Sequence, residues 1–171
     1  GVKRRERRLR EGEYELLQAA AEQCRNPYIW ACIDFAVETG MRRSEILSLL
    51  WVNVDLDIRI AVLPDTKNGS KREVPLTKKA AQILDRLPRD EARAFSTTDY
   101  TIRHGWDRLV RRAGIEGLRF HDIRHEAVSR FFEMGLTPPE VASISGHRTL
   151  SQLMRYSHAN TSLVADKLRS M

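Results

Sequence analysis

Apolar side chains recur at α-helical spacing over most of this 171-residue chain, and one stretch breaks that pattern. In residues 52–76 apolar and polar positions alternate instead, as in strands with one face in water. Asn68-Gly69 is a strong hairpin-turn signal, and Pro75 marks a strand edge or end. The sequence therefore predicts a mainly α domain with one small antiparallel β-sheet, an α+β fold.

Local signals predict where the helices begin and end. Pro27 permits a helix after the first one, and Gly40 is suited to end it. Ser44 is expected to cap a third helix over residues 44–51. The run Thr137-Pro138-Pro139-Glu140 has the composition of a capped helix start. Another helix is expected to begin at Thr149.

The charge of the chain narrows the class of partner. Its net charge is +6, with 29 basic and 23 acidic side chains. Such a balance favours a polyanionic partner, or marks only a basic soluble protein. No apolar run approaches the roughly 18 residues of a membrane span, and no signal peptide is visible, so we expect no membrane association and a cytoplasmic location, nucleoid-associated if bacterial or phage.

The cysteines and the amino-terminal residues carry weaker signals. Cys24 and Cys32 lie in apolar helical context and are expected to be small buried side chains. Residues 1–12 are rich in arginine and are expected to form a basic linker or tail, with the domain over residues 13–171. That segment is either solvated or in contact with a phosphate backbone.

The last third of the chain concentrates groups that can hold or attack a phosphate. His121 and Arg124 are three residues apart in the first turn of a predicted helix, where backbone amides and the helix dipole favour an anion. His147 and Tyr156 follow. Taken singly, each has an ordinary structural interpretation; their joint occurrence favours a site.

Two segments nearer the amino terminus add cations. In TGMRRSEI, Arg42 and Arg43 lie on a turn, with Glu45 close enough to orient one of them; surface arginines are the alternative. Lys67, Lys71 and Arg72 surround the predicted hairpin turn, where lysines are usually solvated.

Four motifs, TGMRRSEI, TKNGSKREVPL, HDIRH and SGHRTLSQLMRYSH, together resemble the tyrosine recombinase (phage integrase) family in their order and rough spacing. The resemblance spans about residues 39–159 and implies the catalytic-domain fold of that family, whose separate amino-terminal DNA-clamping domain is not in this chain. The residues that it implies as catalytic are Arg42, Lys67, His121, Arg124, His147 and the nucleophile Tyr156, with Glu45 and His158 in support.

Two departures from the family pattern stand near these motifs. Ser145 replaces the usual leucine before Gly-His, and Gln152 and Leu153 stand where threonines are common. Neither departure is expected to touch a catalytic position.

The implied chemistry follows from these residue types. A phenol with a pKa of about 10 is a weak nucleophile. Two guanidiniums can hold the non-bridging oxygens while a histidine and a lysine move protons, so no metal or cofactor is required. The product is a 3′-phosphotyrosine that a second DNA hydroxyl can reverse, which makes the predicted enzyme a site-specific DNA recombinase for integration, excision or inversion.

The resemblance also implies partners. These are double-stranded DNA, further copies of the chain in a tetramer on DNA, and accessory DNA-bending proteins. A short helix over residues 160–171 is expected to dock on a neighbouring protomer. The side chains expected to contact DNA are Lys3, Arg4, Arg5, Arg43, Lys71, Arg72 and Arg148.

Three alternatives remain at this point. Residues 136–156 also resemble a helix-turn-helix, as in a DNA-binding regulator without catalysis. His121 and His125, four residues apart, would suit a metal-dependent nuclease, although clustered carboxylates are lacking nearby. A type IB topoisomerase would use the same tyrosine chemistry without strand exchange.

Overall fold

The computed structural model describes residues 5–64, 71–154, 156 and 161–171, and it is mainly helical with one small sheet, as the sequence predicts. The helices are α1 (Glu13–Ala21), α2 (Pro27–Thr39), α3 (Arg43–Ser48), α4 (Lys78–Asp85), α5 (Asp99–Ala113), α6 (Phe120–Glu133), α7 (Pro138–Ser145) and α8 (Thr161–Arg169). The strands are β1 (Val54–Asp55), β2 (Ile60–Leu63) and β3 (Arg72–Pro75).

Helix α2 forms the centre of the domain and packs against α4, α5 and α6. The Asn26 side chain accepts a hydrogen bond of 2.8 Å from the Tyr28 backbone N–H, and Pro27 supplies the first helical residue. Gly40 ends the helix with φ of +67°, a left-handed conformation that favours glycine. Both predicted boundaries are confirmed.

The sheet is antiparallel in the order β1-β2-β3, with Ala61 opposite Val54 on one side and Val74 on the other. The first part of the alternating stretch forms two strands, β1 and β2, because the chain turns between them. The Asp55 side chain accepts the backbone N–H groups of Asp57 and Ile58, and Arg59 adopts φ of +55°. The predicted Asn68-Gly69 turn lies outside the described residues.

Capping corrects one predicted helix start. Helix α3 begins at Arg43 rather than at Ser44, and Arg42 occupies the N-cap position. The Glu45 side chain accepts the Arg42 backbone N–H at 2.9 Å, so the acidic residue of the motif itself closes the helix start. Thr77 and Thr98 cap α4 and α5 through their hydroxyls.

The carboxyl-terminal third differs from its prediction at one element. Helix α7 has the predicted capping box between Thr137 and Glu140. The helix expected from Thr149 is instead a 3-10 turn, Leu150–Gln152, which brings Leu153 into the core. Helix α8 forms where predicted and buries none of its residues in this chain. Among the described residues, no helix is long and apolar enough to span a bilayer.

The basic amino-terminal segment is anchored to the domain over residues 5–10. Arg8 donates to Glu126 on α6 at 2.8 Å and also pairs with Glu133. Arg5 pairs with Asp122, on the first turn of α6, at 2.7 Å. Helix α6 therefore carries an acidic face toward this segment, while His121 and Arg124 lie on the same helix. The domain boundary at residue 12 stays a prediction.

Candidate active site

Arg124 is the buried centre of the site. It lies on α6 with 5% of its surface exposed. One guanidinium nitrogen, Nη1, donates to the Gly40 carbonyl at 2.8 Å, and Nη2 donates to the Ser145 carbonyl at 2.9 Å. These two bonds hold the turn after α2 and the end of α7 against α6, and they restrict the orientation of the guanidinium.

The surroundings of Arg124 contain further positive charges, from Arg42 and Arg72. Burial, together with the charges of Arg42 and Arg72, lowers the pKa of Arg124 to about 10, against the opposing effects of Glu45 and Tyr156. Because this pKa is still well above neutral, the guanidinium remains charged. A buried cation with this imbalance is stabilised by an anion, and a phosphate matches its donors.

Arg42 supplies the exposed part of the same positive patch. Its side chain is 44% exposed, and its Nη1 lies 3.6 Å from the nearer Glu45 oxygen, Oε2. Gly40, two residues earlier, is bound by Arg124. The charge of Arg42 also acts on Arg124, so the two side chains contribute to one positive patch.

Glu45 pairs most closely with an arginine that we had not assigned to it. Arg72 Nη1 lies 2.8 Å from Glu45 Oε2, and Arg72 Nη2 donates to Oε1 at 2.9 Å. Burial raises the Glu45 pKa, but the hydrogen bonds from Arg72 and the Arg42 backbone outweigh it, and the pKa is lowered overall. The Arg72 side chain, predicted to contact DNA, is only 15% exposed and faces this carboxylate. DNA contact by Arg72 stays a prediction.

His147 contacts the residue that departs from the family pattern. The Ser145 hydroxyl lies 2.6 Å from His147 Nδ1, and Arg124 Nη2 lies 3.4 Å from the same nitrogen. Ser145 is fully buried. Our expectation that this departure touches no catalytic position was therefore wrong, because α7 ends with the Ser145 side chain directed at the histidine.

Tyr156 is 6% exposed and lies among aromatic rings. Its ring centroid is 4.7 Å from that of His125 and 6.0 Å from that of His147, both edge-on. Its backbone N–H donates to the Leu153 carbonyl at 2.9 Å, so the buried Leu153 anchors the tyrosine. His125 was not among the predicted site residues, and its position next to Arg124 in the HDIRH motif was the sequence signal that could have identified it.

The other predicted site residues fall into two groups. His121 is the exposed second residue of α6, one turn before Arg124. Those outside the described residues are Lys3, Arg4, Lys67 and His158.

The remaining predicted DNA contacts have varied surroundings. Arg5 is paired with Asp122, and Arg43 donates to Asp99 at 2.5 Å and lies over the Phe120 ring. Lys71 and Arg148 are exposed. DNA contact by these side chains stays a prediction.

Two of the alternatives can be compared with the geometry. Among the residues that the structure describes, no three histidine, cysteine or acidic side chains converge to hold a metal. After α7, the segment expected to be the recognition helix of a helix-turn-helix is the 3-10 turn Leu150–Gln152. Over residues 149–154, which the structure describes, there is no second α-helix of the kind that the DNA-binding regulator would need.

Comparisons with known proteins agree with this geometry. The model of the phage integrase family matches residues 7–162. A shufflon-specific DNA recombinase of Escherichia coli is 40% identical over 166 residues, which cover 96% of this chain and 43% of that protein. The chain thus spans less than half the length of this relative.

Solved structures share the fold. The catalytic domain of bacteriophage HP1 integrase superposes with a TM-score of 0.77 at 27% identity, covering 95% of this chain and 93% of that domain. A lambda integrase dimer bound to a COC′ core site superposes with a TM-score of 0.75 at 17% identity, covering 94% of this chain and 62% of that one. At that identity the second likeness concerns the fold alone.

Proposed function

Because this chain belongs to the phage integrase family, we propose that it is the catalytic part of a site-specific DNA recombinase, which breaks and rejoins DNA strands through a covalent phosphotyrosine. The names of its relatives, recombinase and integrase, support this class over a DNA-binding regulator without catalysis.

The observation that carries the proposal is the surplus of positive charge around buried Arg124 beside a phenol. Arg124 and Arg42 would hold the two non-bridging oxygens of one phosphate, and Arg124 is already oriented by two carbonyls. Tyr156 interacts electrostatically with Arg124 and is held by its backbone and by two histidine rings. A nucleophile fixed next to an anion site is what transfer of a phosphodiester needs.

The proposed reaction conserves the phosphodiester bond. The Tyr156 oxygen attacks phosphorus and forms a phosphotyrosine with the 3′ end, while the bond to the 5′ oxygen breaks. The phenol proton passes to His121, and Lys67 protonates the leaving 5′ oxygen. A 5′ hydroxyl from a second strand then attacks the same phosphorus and releases Tyr156. These residue roles follow from the family motifs and need no metal.

Double-stranded DNA is the proposed substrate. The net charge of +6 and the exposed cations Lys71 and Arg148 suit a phosphate backbone. The lambda integrase neighbour is a dimer bound to a COC′ core site. We propose that this protein likewise assembles on DNA, as a tetramer, and that exposed α8 reaches a neighbouring copy. Accessory DNA-bending proteins remain an expectation from the family.

The test uses a nicked oligonucleotide from which the short fragment with the newly formed 5′ hydroxyl diffuses away, so that the covalent adduct accumulates. We expect an adduct that forms in chelator and that mass spectrometry maps to Tyr156, and none with Tyr156→Phe, which should still bind DNA. Adding an acceptor strand with a 5′ hydroxyl should release the protein and join the strands. Adduct formation without joining to a second duplex would favour a topoisomerase, and absence of any wild-type adduct would refute the proposal.

A further inference from the structure

The His147 ring is approached at one nitrogen by two polar groups. Nδ1 lies 2.6 Å from the Ser145 hydroxyl and 3.4 Å from Arg124 Nη2. Ser145 is fully buried and Arg124 nearly so, so both contacts are made in a setting of low polarity. Hydrogen bonds in such surroundings are strong, and a mismatch between donors is costly.

The donors and acceptors around Nδ1 favour one tautomer of His147. A guanidinium only donates, so a proton on Nδ1 would face Arg124 donor to donor. Because the Arg124 donor disfavours a proton on Nδ1, the Ser145 hydroxyl is the donor in the 2.6 Å contact, while its oxygen accepts the His147 backbone N–H at 3.4 Å. Nδ1 is then the acceptor, and the ring proton resides on Nε2 at the other end of the imidazole.

We propose that Ser145 is a positioning residue, which together with Arg124 holds His147 as the neutral tautomer with its proton on Nε2, ready to donate to a phosphate oxygen. The inference rests on the proposed function for the identity of the acceptor, but the tautomer itself does not. Ser145 stands where the phage integrase family usually has leucine, and leucine has no hydroxyl that could contact the histidine. The hydrogen-bond partner of one histidine ring nitrogen commonly decides whether the other ring nitrogen carries the proton.

Nuclear magnetic resonance of protein labelled with ¹⁵N in histidine measures the tautomer without DNA or catalysis. At neutral pH we expect His147 to show an unprotonated Nδ1 and a protonated Nε2. A protonated Nδ1, in either the other neutral tautomer or the imidazolium, would overturn the inference. The assignment comes from comparison with His147→Gln.

The kinetic test compares two serines on α7. Ser145→Ala removes the hydroxyl at the ring, whereas Ser143→Ala removes an exposed hydroxyl that donates to the Glu140 carbonyl at 2.7 Å. With the nicked oligonucleotide, Ser145→Ala should slow adduct formation by about five- to tenfold at unchanged DNA affinity, and Ser143→Ala should not. The His147 resonances should also broaden or shift toward a mixture of tautomers in Ser145→Ala alone.

The outcomes separate the two proposals. An absent wild-type adduct refutes the recombinase chemistry, while the resonance spectrum still decides the tautomer. A normal rate for Ser145→Ala, with thermal unfolding unchanged, would remove the positioning role. If Ser145→Ala fails to fold, the wild-type spectrum alone confirms or overturns the assigned tautomer.

Discussion

The rings of His125 and Tyr156 meet edge to face, with centroids 4.7 Å apart and planes inclined by 63°. His125 directly follows Arg124 on α6. One helix therefore carries the arginine that we propose to bind the phosphate and also the ring that contacts the proposed nucleophile. A contact of this type contributes about 0.5–1.5 kcal/mol beyond the area that it buries.

Replacing His125 should therefore loosen the tyrosine. His125→Ala is expected to slow adduct formation on the nicked oligonucleotide by up to about tenfold, because an edge contact worth about 1.4 kcal/mol is lost. His125→Phe keeps an aromatic edge and should retain most of the rate. His104→Ala, which removes the partner of the Tyr100 ring on the exposed surface of α5, is the control. Equal loss with alanine and phenylalanine would mean that the imidazole itself takes part in the chemistry.

Two glycines that end helices allow a matched test of packing around Arg72. Gly146 and Gly114 have φ of +75° and +71°, so alanine at either position costs about 1–2 kcal/mol of backbone strain. At Gly114 an added Cβ meets nothing within 4 Å, whereas at Gly146 it would overlap Arg72 Nη1 and lie 2.9 Å from Cζ. Gly146→Ala should lower the free energy of unfolding by about 1–3 kcal/mol more than Gly114→Ala in urea denaturation. Equal losses would show that Arg72 moves aside without cost.

Because Glu45 contacts both Arg72 and Arg42, we expect the effects of substituting Arg72 and Glu45 to depend on each other. Arg72 holds both of its oxygens, which leaves the Arg42 guanidinium 3.6 Å away and 44% exposed. In Arg72→Met, Arg42 should close onto Glu45 and leave the phosphate, and the adduct rate should fall by about tenfold. Adding Glu45→Gln keeps an oxygen for the Arg42 backbone N–H but removes the charge, so the double variant should be faster than Arg72→Met alone. Such coupling between contacting residues is typically about 0.5–3 kcal/mol.

The control for this cycle is Arg89→Met, which removes an arginine that is 54% exposed and paired with Asp85. It should leave the rate unchanged. If Arg72→Met and the double variant are equally slow, Arg72 acts on the phosphate directly rather than through Glu45.

The amino-terminal segment should contribute to stability through one buried carboxylate. Glu126 is 6% exposed and accepts hydrogen bonds from the Arg8 side chain and the Leu9 backbone N–H, whereas Glu133, also paired with Arg8, is 59% exposed on its side chain. Glu126→Ala should lower the free energy of unfolding by about 1–3 kcal/mol, and Glu133→Ala by less than about 1 kcal/mol. Thermal denaturation measures both. Similar small effects would indicate that residues 5–10 do not stay bound to α6 in solution.

Much of the fold was predictable because its signals act over a few residues. Pro27 and Gly40 mark the two ends of α2, and the hydrogen bonds between Thr137 and Glu140 begin α7; both depend only on residues close in sequence. The predicted helix from Thr149 failed for a tertiary reason. Burial of Leu153 and Tyr156 holds that segment in a 3-10 turn.

The amino-acid sequence alone determined which chemical groups are available and which helices present them, since spacing and capping are local properties. Only the tertiary structure decided which groups meet. Glu45 binds Arg72, 27 residues away, more closely than its neighbour Arg42, and Arg124 donates to the Gly40 carbonyl 84 residues before it. Side-chain pairing across such separations depends on how helices and strands pack, and no pattern within either segment contains that information.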